Sequence, residues 1–570
     1  LLARGAGVET QKPLRECGQS ECFKTGQIYL FTTQSLSFAA SLPVNSTDAN
    51  PVGAGETAAG GEGLLRSSGV TGSMTMISRV LGLARDVTIA RLFGVTDGVD
   101  AFFLANKIPN FMRRLFAEGA FNQAFVPVLS EYRTKRGHAE VRELVNAVAA
   151  SLGGLLALIT ALVVAAAPLL ATVVAYGFLD EPDKFATFVS MFRITFPYLL
   201  LISMTAMCGA VLNSYGYFAG PAITPAMLNL SLIGCSFALA PWLNEPALAL
   251  AWGVLIAGVA QLLFQLPFLA HIRLLPVPKP SRGHEGVARI KRLMLPALFG
   301  VSVSQINLLL DTVIASLLVT GSVSWLYYSD RLMEFPLGTF GIAIAIVVLP
   351  SLSRKHASES MDEFSATLDW AFRLVCLIAV PATLALILIA EPLLVTLFQN
   401  DNFTDFDVER SAASLKAYAL GLLAFMAVKI FAPGFYARQN TATPVRIGVI
   451  AMSVNMVLNV GFYLAGFAHV GLALATSMAA VVNAGLLLRG LRRDGVFRFQ
   501  PGWGRLILQL LLGNVAMAAA LLGLGGPWRE WMEWTIAGKV GQLALLVLAG
   551  LLAYAATLWL CGLRPRHLLR

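Results

Sequence analysis

The stretch Val145 to Phe178, VNAVAASLGGLLALITALVVAAAPLLATVVAYGF, holds 34 residues without one charged side chain. At about 1.5 Å rise per residue, some twenty of them in a helix already cross a bilayer core of about 30 Å. Ile194–Leu243, Pro246–Ala270 and Leu506–Trp528 are equally free of charge. The first of these is too long for one crossing, and Gly220-Pro221 divides it. Lipid offers the backbone no hydrogen-bond partners, so repeated apolar runs of this length read as a bundle of membrane helices.

Composition agrees with that reading. Of 570 residues, 42 are Lys or Arg and 33 Asp or Glu, so 13% are charged and 56% are hydrophobic. Soluble domains carry roughly 25% charge. An ordinary cytosolic enzyme, a secreted disulfide scaffold and a disordered chain are excluded. The net charge of +9 would ordinarily raise nucleic-acid binding, but here the placement of the charges decides. Cys17 and Cys22 lie near the N-terminus, and Cys208, Cys235, Cys376 and Cys561 fall in apolar runs, where they read as small hydrophobes. The six histidines lie at or near segment ends, with no metal-ligand spacing.

Reading every apolar stretch gives fourteen helices, at about 66–92, 97–132, 143–177, 186–214, 221–243, 246–272, 289–320, 323–355, 363–398, 411–437, 444–467, 469–491, 504–525 and 536–562. The loops test the count. Basic connections (Arg133, Lys135, Arg136 and Arg142; Arg273, Lys279 and Arg282; Arg354 and Lys355; Arg438 and Arg446; Arg489, Arg492, Arg493 and Arg498; Arg564, Arg566 and Arg570) alternate with acidic ones. The acidic set is Asp180, Glu181 and Asp183; Glu245; Asp401, Asp405, Asp407 and Glu409; Glu530 and Glu533. By the positive-inside rule both termini are expected in the cytoplasm. Residues 1–64, rich in Gly, Ala, Ser and Thr, do not conform and read as a disordered tail. The first methionine is Met74, so translation is expected to start near Leu64 or Leu65.

Internal repetition organises the rest. Leu248-Ala-Leu-Ala251 recurs as Leu472-Ala-Leu-Ala475, Val126-Pro-Val-Leu-Ser130 resembles Val348–Ser353, Ala219-Gly-Pro221 aligns with Ala442-Thr-Pro444, and Gly69–Ser73 echoes Gly300–Ser304. The first three matches have offsets of about 222–224 and the last 231, each corresponding to one six-helix unit. Six is even, so the two units share an orientation, and their symmetry axis runs along the membrane normal. The expected divisions are a lobe of helices one to six (65–273), a lobe of helices seven to twelve (274–498) and two extra helices (499–570).

Charge at bilayer depth costs at least about 2.5–3.5 kcal/mol, so it faces a cavity or a partner. The first two helices concentrate it: Arg79, Arg85, Asp86 and Arg91, then Asp100, Lys107, Arg113, Arg114 and Glu118; Asp330, Arg331 and Glu334 enter the eighth. Arg79 and Arg85 stand about 9 Å apart along one helix and about 120° around it, so both reach one wide cavity. Either these charges form a structural ion-pair network, or they line a cationic chamber for an anionic headgroup, with Asn110 and Ser78 adding neutral contacts. Arginine suits the second role because its planar fork grips phosphate bidentately. On the seventh, eleventh and twelfth helices, Asp311, Asn455, Asn459 and Thr476 supply hard oxygens for a monovalent cation. The alternative is a protonated Asp311 bonded to neighbouring helices. Gly18–Thr25 only approximates a phosphate loop, with Phe23 where glycine is needed. Energy must then come from a gradient, the membrane potential or the substrate's own concentration difference.

The run Ser73–Asp86 (SMTMISRVLGLARD), Asp100-Ala-Phe-Phe, Lys107–Phe121 (KIPNFMRRLFAEGAF), Gly321–Phe335 (GSVSWLYYSDRLMEF) and Ala432–Tyr436 (APGFY) resemble the signatures of the MurJ (MviN) lipid II flippase family. The resemblance covers residue 66 to the C-terminus. It implies an all-α integral membrane fold of the multidrug/oligosaccharidyl-lipid/polysaccharide exporter superfamily, with two six-helix lobes about a V-shaped cavity. It further implies a bacterial inner-membrane transporter, not an enzyme, that carries the peptidoglycan precursor lipid II to the periplasmic leaflet by alternating access. Cavity residues carried over are Arg79, Arg85, Asp86, Arg113, Arg114 and Arg331, with the last two helices as a groove for the lipid tail. Implied partners are lipid II, membrane lipids and other peptidoglycan-synthesis proteins, with no nucleic acid; no cofactor is expected, apart from the coupling sodium ion or proton suggested by the Asp311 group. The rival readings are a multidrug or other polyprenyl-oligosaccharide exporter and a scaffolding protein of cell-wall synthesis.

Overall fold

The computed structural model describes residues 56–114, 121–279, 283–358 and 360–564. Most of the expected tail, residues 1–55, lies outside them, as does Glu118. Among the described residues every regular element is helical.

The first unit runs α1 (Glu56–Phe93), α2 (Asp97–Arg113), α3 (Asn122–Lys135), α4 (His138–Ala165), α5 (Ala167–Val174), α6 (Pro182–Thr195), α7 (Tyr198–Ser214), α8 (Ala219–Ala238) and α9 (Leu248–His271). The second runs α10 (Glu285–Ser316), α11 (Ser322–Pro336), α12 (Ile342–Ala357), α13 (Met361–Leu388), α14 (Ala390–Leu397), α15 (Asp405–Ala419), α16 (Leu422–Tyr436), α17 (Ala442–Leu464) and α18 (Ala468–Arg493). Then come α19 (Trp503–Gly525) and α20 (Ile536–Leu560). Among the described residues, ten helical stretches are long and apolar enough to cross a membrane. The other four expected spans fall on α1, α2 with α3, α10, and α11 with α12, where the sequence concentrates charge.

Two expectations need correction. The first helix starts at Glu56 and runs through the boundary expected at residue 64. No proline lies between Pro51 and Pro109, and an established helix extends upstream far more cheaply than it nucleates. Four spans read as continuous are broken. The break at Ala166 precedes Pro168, whose ring and missing N–H disrupt the turn before it. Pro197 ends the next run and Pro392 follows the break at Ile389. At Leu420 and Gly421 the chain kinks where a Cβ on Gly421 would stand 2.7 Å from Ser477 Oγ.

These breaks carry the repeat more clearly than the residue matches do. His138 and Met361, Pro182 and Asp405, and Ala219 and Ala442 begin helices 223 residues apart. Ala166 and Ile389, and Pro197 and Leu420, interrupt them at the same offset. A π-helical turn, Leu337–Gly341, separates α11 from α12. One helix escapes the division: α10 packs on α2, α3, α4 and α5 of the first unit as well as on α17 of its own.

Helices α19 and α20 pack on each other and on α13 and α14. Their link to the second lobe is polar. Asp369 is buried and accepts hydrogen bonds from Arg373 Nε (2.7 Å), Trp503 Nε1 (2.8 Å) and the Gln500 N–H (3.3 Å), while Arg373 donates to the Gln500 and Pro501 carbonyls. Their outer faces expose Leu511, Val515, Leu551, Leu552 and Trp559, as a lipid-facing surface requires.

Candidate substrate cavity

The charges in α1 sit where α1 packs on α8 and faces α11. Arg85 is the centre. Its Nη2 lies 2.6 Å from Asp86 Oδ1 and donates to the Tyr327 hydroxyl at 2.8 Å, and its Nη1 donates to Asn229 Oδ1 at 3.0 Å. Asn229 also donates to the Ser78 carbonyl, so α8 fixes both the backbone and the guanidinium of α1. Tyr327 donates to Asp86 Oδ1 (2.9 Å), and Arg331 Nε stands 3.8 Å from Asp86 Oδ2. One carboxylate from the first lobe is therefore shared by two guanidinia, one from each lobe. The Asp86 side chain is 5% exposed and that of Arg85 12%, while Arg331 keeps 41% and a second contact to Glu334. An isolated charge at this depth would be costly; here each has a partner and two still offer N–H groups to an incoming anion.

The remaining expected residues fall into smaller groups. Arg79 is half-buried against the π-helical turn: a Cβ on Gly338 would stand 2.6 Å from its Nη1. Arg113 donates to Asn110, which bonds back to the Asn106 carbonyl; Arg114 is exposed at the end of α2. Ser78 acts through its carbonyl. Asp100 departs from the cavity. It is 1% exposed and accepts from the Gly321 N–H (2.7 Å), the Ser324 N–H (2.9 Å) and Ser324 Oγ (2.5 Å), capping α11 from the other lobe.

Asp100 belongs to a closure at the end bearing the acidic loops. Beside it, buried Lys184 reaches Asp97 (2.8 Å) and Thr320 (2.7 Å), and Asn400 and Asn402 donate to the Arg91 carbonyl. Backbones touch there too: a Cβ on Gly177 would stand 2.0 Å from the Ser316 carbonyl oxygen. At the basic end, Glu131 pairs with Arg289 and Arg136 with Glu285, tying the start of α10 to the first lobe.

The four residues proposed for a cation lie in one connected group, joined through their amide nitrogens. Asn459 Nδ2 donates to Asp311 Oδ1 (2.6 Å) and to Asn455 Oδ1 (3.0 Å), and Asn455 Nδ2 reaches Thr476 Oγ1 at 3.4 Å. This is a chain of amide donors ending on a carboxylate. It joins α10 to α17 in the second lobe, as the Arg85–Asn229 pair joins α1 to α8 in the first. Lys107 of the first lobe lies within electrostatic reach of Asp311 and Asp330.

Sequence reasoning missed Tyr327, Asn229 and Phe103. Tyr327 had one signal, its position one turn before Arg331 on a shared helix face. Asn229 had another, as a lone amide amid the apolar run of α8. On the far side of the second lobe a crevice of about 470 Å³ opens between α13, α16 and α19, lined by Val380, Leu384, Leu423 and Leu510 with Thr383 and Asn514 as its polar members.

Residues 89–537 match the family model described as lipid II flippase MurJ. A probable lipid II flippase MurJ of Haemophilus influenzae is 47% identical over 511 residues, covering 87% of this chain and 99% of its own. A lipid II flippase MurJ of Burkholderia cenocepacia is 40% identical over 518 residues, covering 89% and 99%. Among solved structures, a lipid II flippase MurJ in an inward closed conformation superposes with a TM-score of 0.72 at 25% identity, covering 88% of this chain and 99% of that one. An inward-facing multidrug resistance MATE family transporter of the MOP superfamily gives 0.62 at 13% identity, over 75% and 98%.

Proposed function

The chain belongs to the lipid II flippase MurJ family, and on that premise we propose how its cavity carries the substrate. It is a multi-pass membrane transporter of lipid II, and no bond is made or broken. The basic loops lie in the bacterial cytoplasm, as do both termini, and the acidic loops in the periplasm. The diphosphate of the headgroup enters from the cytoplasmic side and takes over the guanidinia that Asp86 shares, Arg85 and Arg331. Arg79, Arg113 and Arg114 extend the cationic wall, and Asn110 adds an amide. The polyprenyl tail stays in lipid, along the crevice between α13 and α19. The lobes then rock, releasing the Asp100 and Lys184 contacts and exposing the headgroup to the periplasm.

The observation that carries this reading is the pair of guanidinia from opposite lobes on one buried carboxylate: it is a site for an anion that can be divided when the lobes part. A multidrug exporter for cationic drugs would find like charge here. The test is conditional depletion with periplasmic accessibility of the lipid II headgroup measured directly. We expect accessibility to fall, and Arg85→Ala to fail in restoring it; unchanged accessibility after depletion rejects the reading.

Coupling is proposed at Asp311. The oxygens of Asp311, Asn455, Asn459 and Thr476 suit a monovalent cation once the Asn459 amide turns its oxygen inward. With the amide as placed, its N–H satisfies the carboxylate in the ion's stead. Asp311→Asn is expected to abolish any sodium or proton dependence of transport; unchanged dependence dismisses the site.

A further inference from the structure

Tyr327 stands between the two charged groups that come from different lobes. Its hydroxyl accepts from Arg85 and donates to Asp86, while the Arg331 guanidinium lies 5.1 Å from its ring centre and Phe103 stacks on it at 3.8 Å. A phenol in this place does two things that no other neutral side chain would do together. Its ring, fixed by Phe103, sets where Arg331 rests. Its O–H stays on Asp86, so the carboxylate keeps a partner when Arg85 turns to an incoming anion.

We propose that Tyr327 is a positioning residue that holds Arg85 and Arg331 about the one Asp86 carboxylate, and so sets a preference for lipid-linked diphosphate over lipid-linked monophosphate. The inference rests on the reading that these arginines receive the diphosphate. Two linked phosphoryl groups engage one guanidinium each, whereas a single phosphate is satisfied by either arginine alone. Losing the hydroxyl frees the arginines from a common register and strands Asp86 once Arg85 leaves it. Both effects weigh on the ligand that needs both cations.

The test compares dissociation constants of polyprenyl diphosphate and polyprenyl monophosphate for the full chain in lipid nanodiscs. Wild type is expected to favour the diphosphate. Tyr327→Phe keeps the ring, and is expected to weaken the diphosphate about five- to tenfold, the worth of one charge-assisted hydrogen bond, with the monophosphate changed less than about twofold. Tyr327→Gln removes the ring as well as the hydroxyl and is expected to lose the preference at least as far; it answers the question even if the phenylalanine variant does not fold. A preference kept in Tyr327→Phe or in Tyr327→Gln, or equal weakening of both lipids, overturns the proposal. If wild type binds neither lipid, the transport reading fails, and this inference with it.

Discussion

Asp86 shows how one residue governs the chemistry of its neighbours. It neutralises Arg85 and faces Arg331, so removing it leaves two guanidinia in one small volume with no shared counter-charge. Asp86→Ala is therefore expected to lose transport while raising affinity for inorganic diphosphate, as measured by direct binding to the purified protein. Arg85→Lys keeps the charge but not the fork that bonds Asn229 and Tyr327 together; a loss of at least about tenfold in transport is expected, since a bidentate site does not accept a point charge. Arg85, Asp86 and Arg331 were legible in the sequence because charge is expensive in lipid and so announces itself. Tyr327 and Asn229 were not, because neutral polar side chains are cheap there. Their importance depends on what lies across from them, 242 and 144 residues away in the chain.

At the scale of elements, α11 is held by another lobe's side chain. Asp100 supplies the acceptors that the N-terminus of α11 lacks, worth about 1 kcal/mol or more for a cap. Asp100→Ala should loosen the acidic end, and Gly177→Ala should prise it open by a different route, through contact with the Ser316 carbonyl. Both are expected to raise labelling of a Ser322→Cys reporter by a membrane-impermeant maleimide; unchanged labelling in both would mean that this end is not a gate. The order and approximate limits of the helices were readable from charge and hydropathy alone. The breaks were readable only in part. Pro168, Pro197 and Pro392 were visible, yet whether a proline bends a membrane helix or ends it depends on neighbours that re-satisfy its backbone. The kink at Gly421 follows from its contact with Ser477, which no local pattern contains.

Over the whole molecule, the two C-terminal helices are anchored to the second lobe. Asp369, Arg373 and Trp503 tie the start of α19 to α13, and Lys539 reaches Gln399 at the other end. Asp369→Ala strands three donors, one of them the Arg373 cation, an expected cost of about 2–3 kcal/mol. Thermal unfolding should shift down by several degrees, with a changed Trp503 fluorescence; an unchanged midpoint would show the clamp to be dispensable. The 223-residue recurrence of helix starts and breaks has a consequence for descent. Six crossings return the chain to the side it left, so a single tandem gene duplication yields both halves without inversion. In a homodimer of either half alone, both subunits would offer the same sign of charge at the shared axis. Fusion allowed the copies to diverge: one carries Arg85 beside the amide of Asn229, and the other carries Asp311 beside that of Asn459.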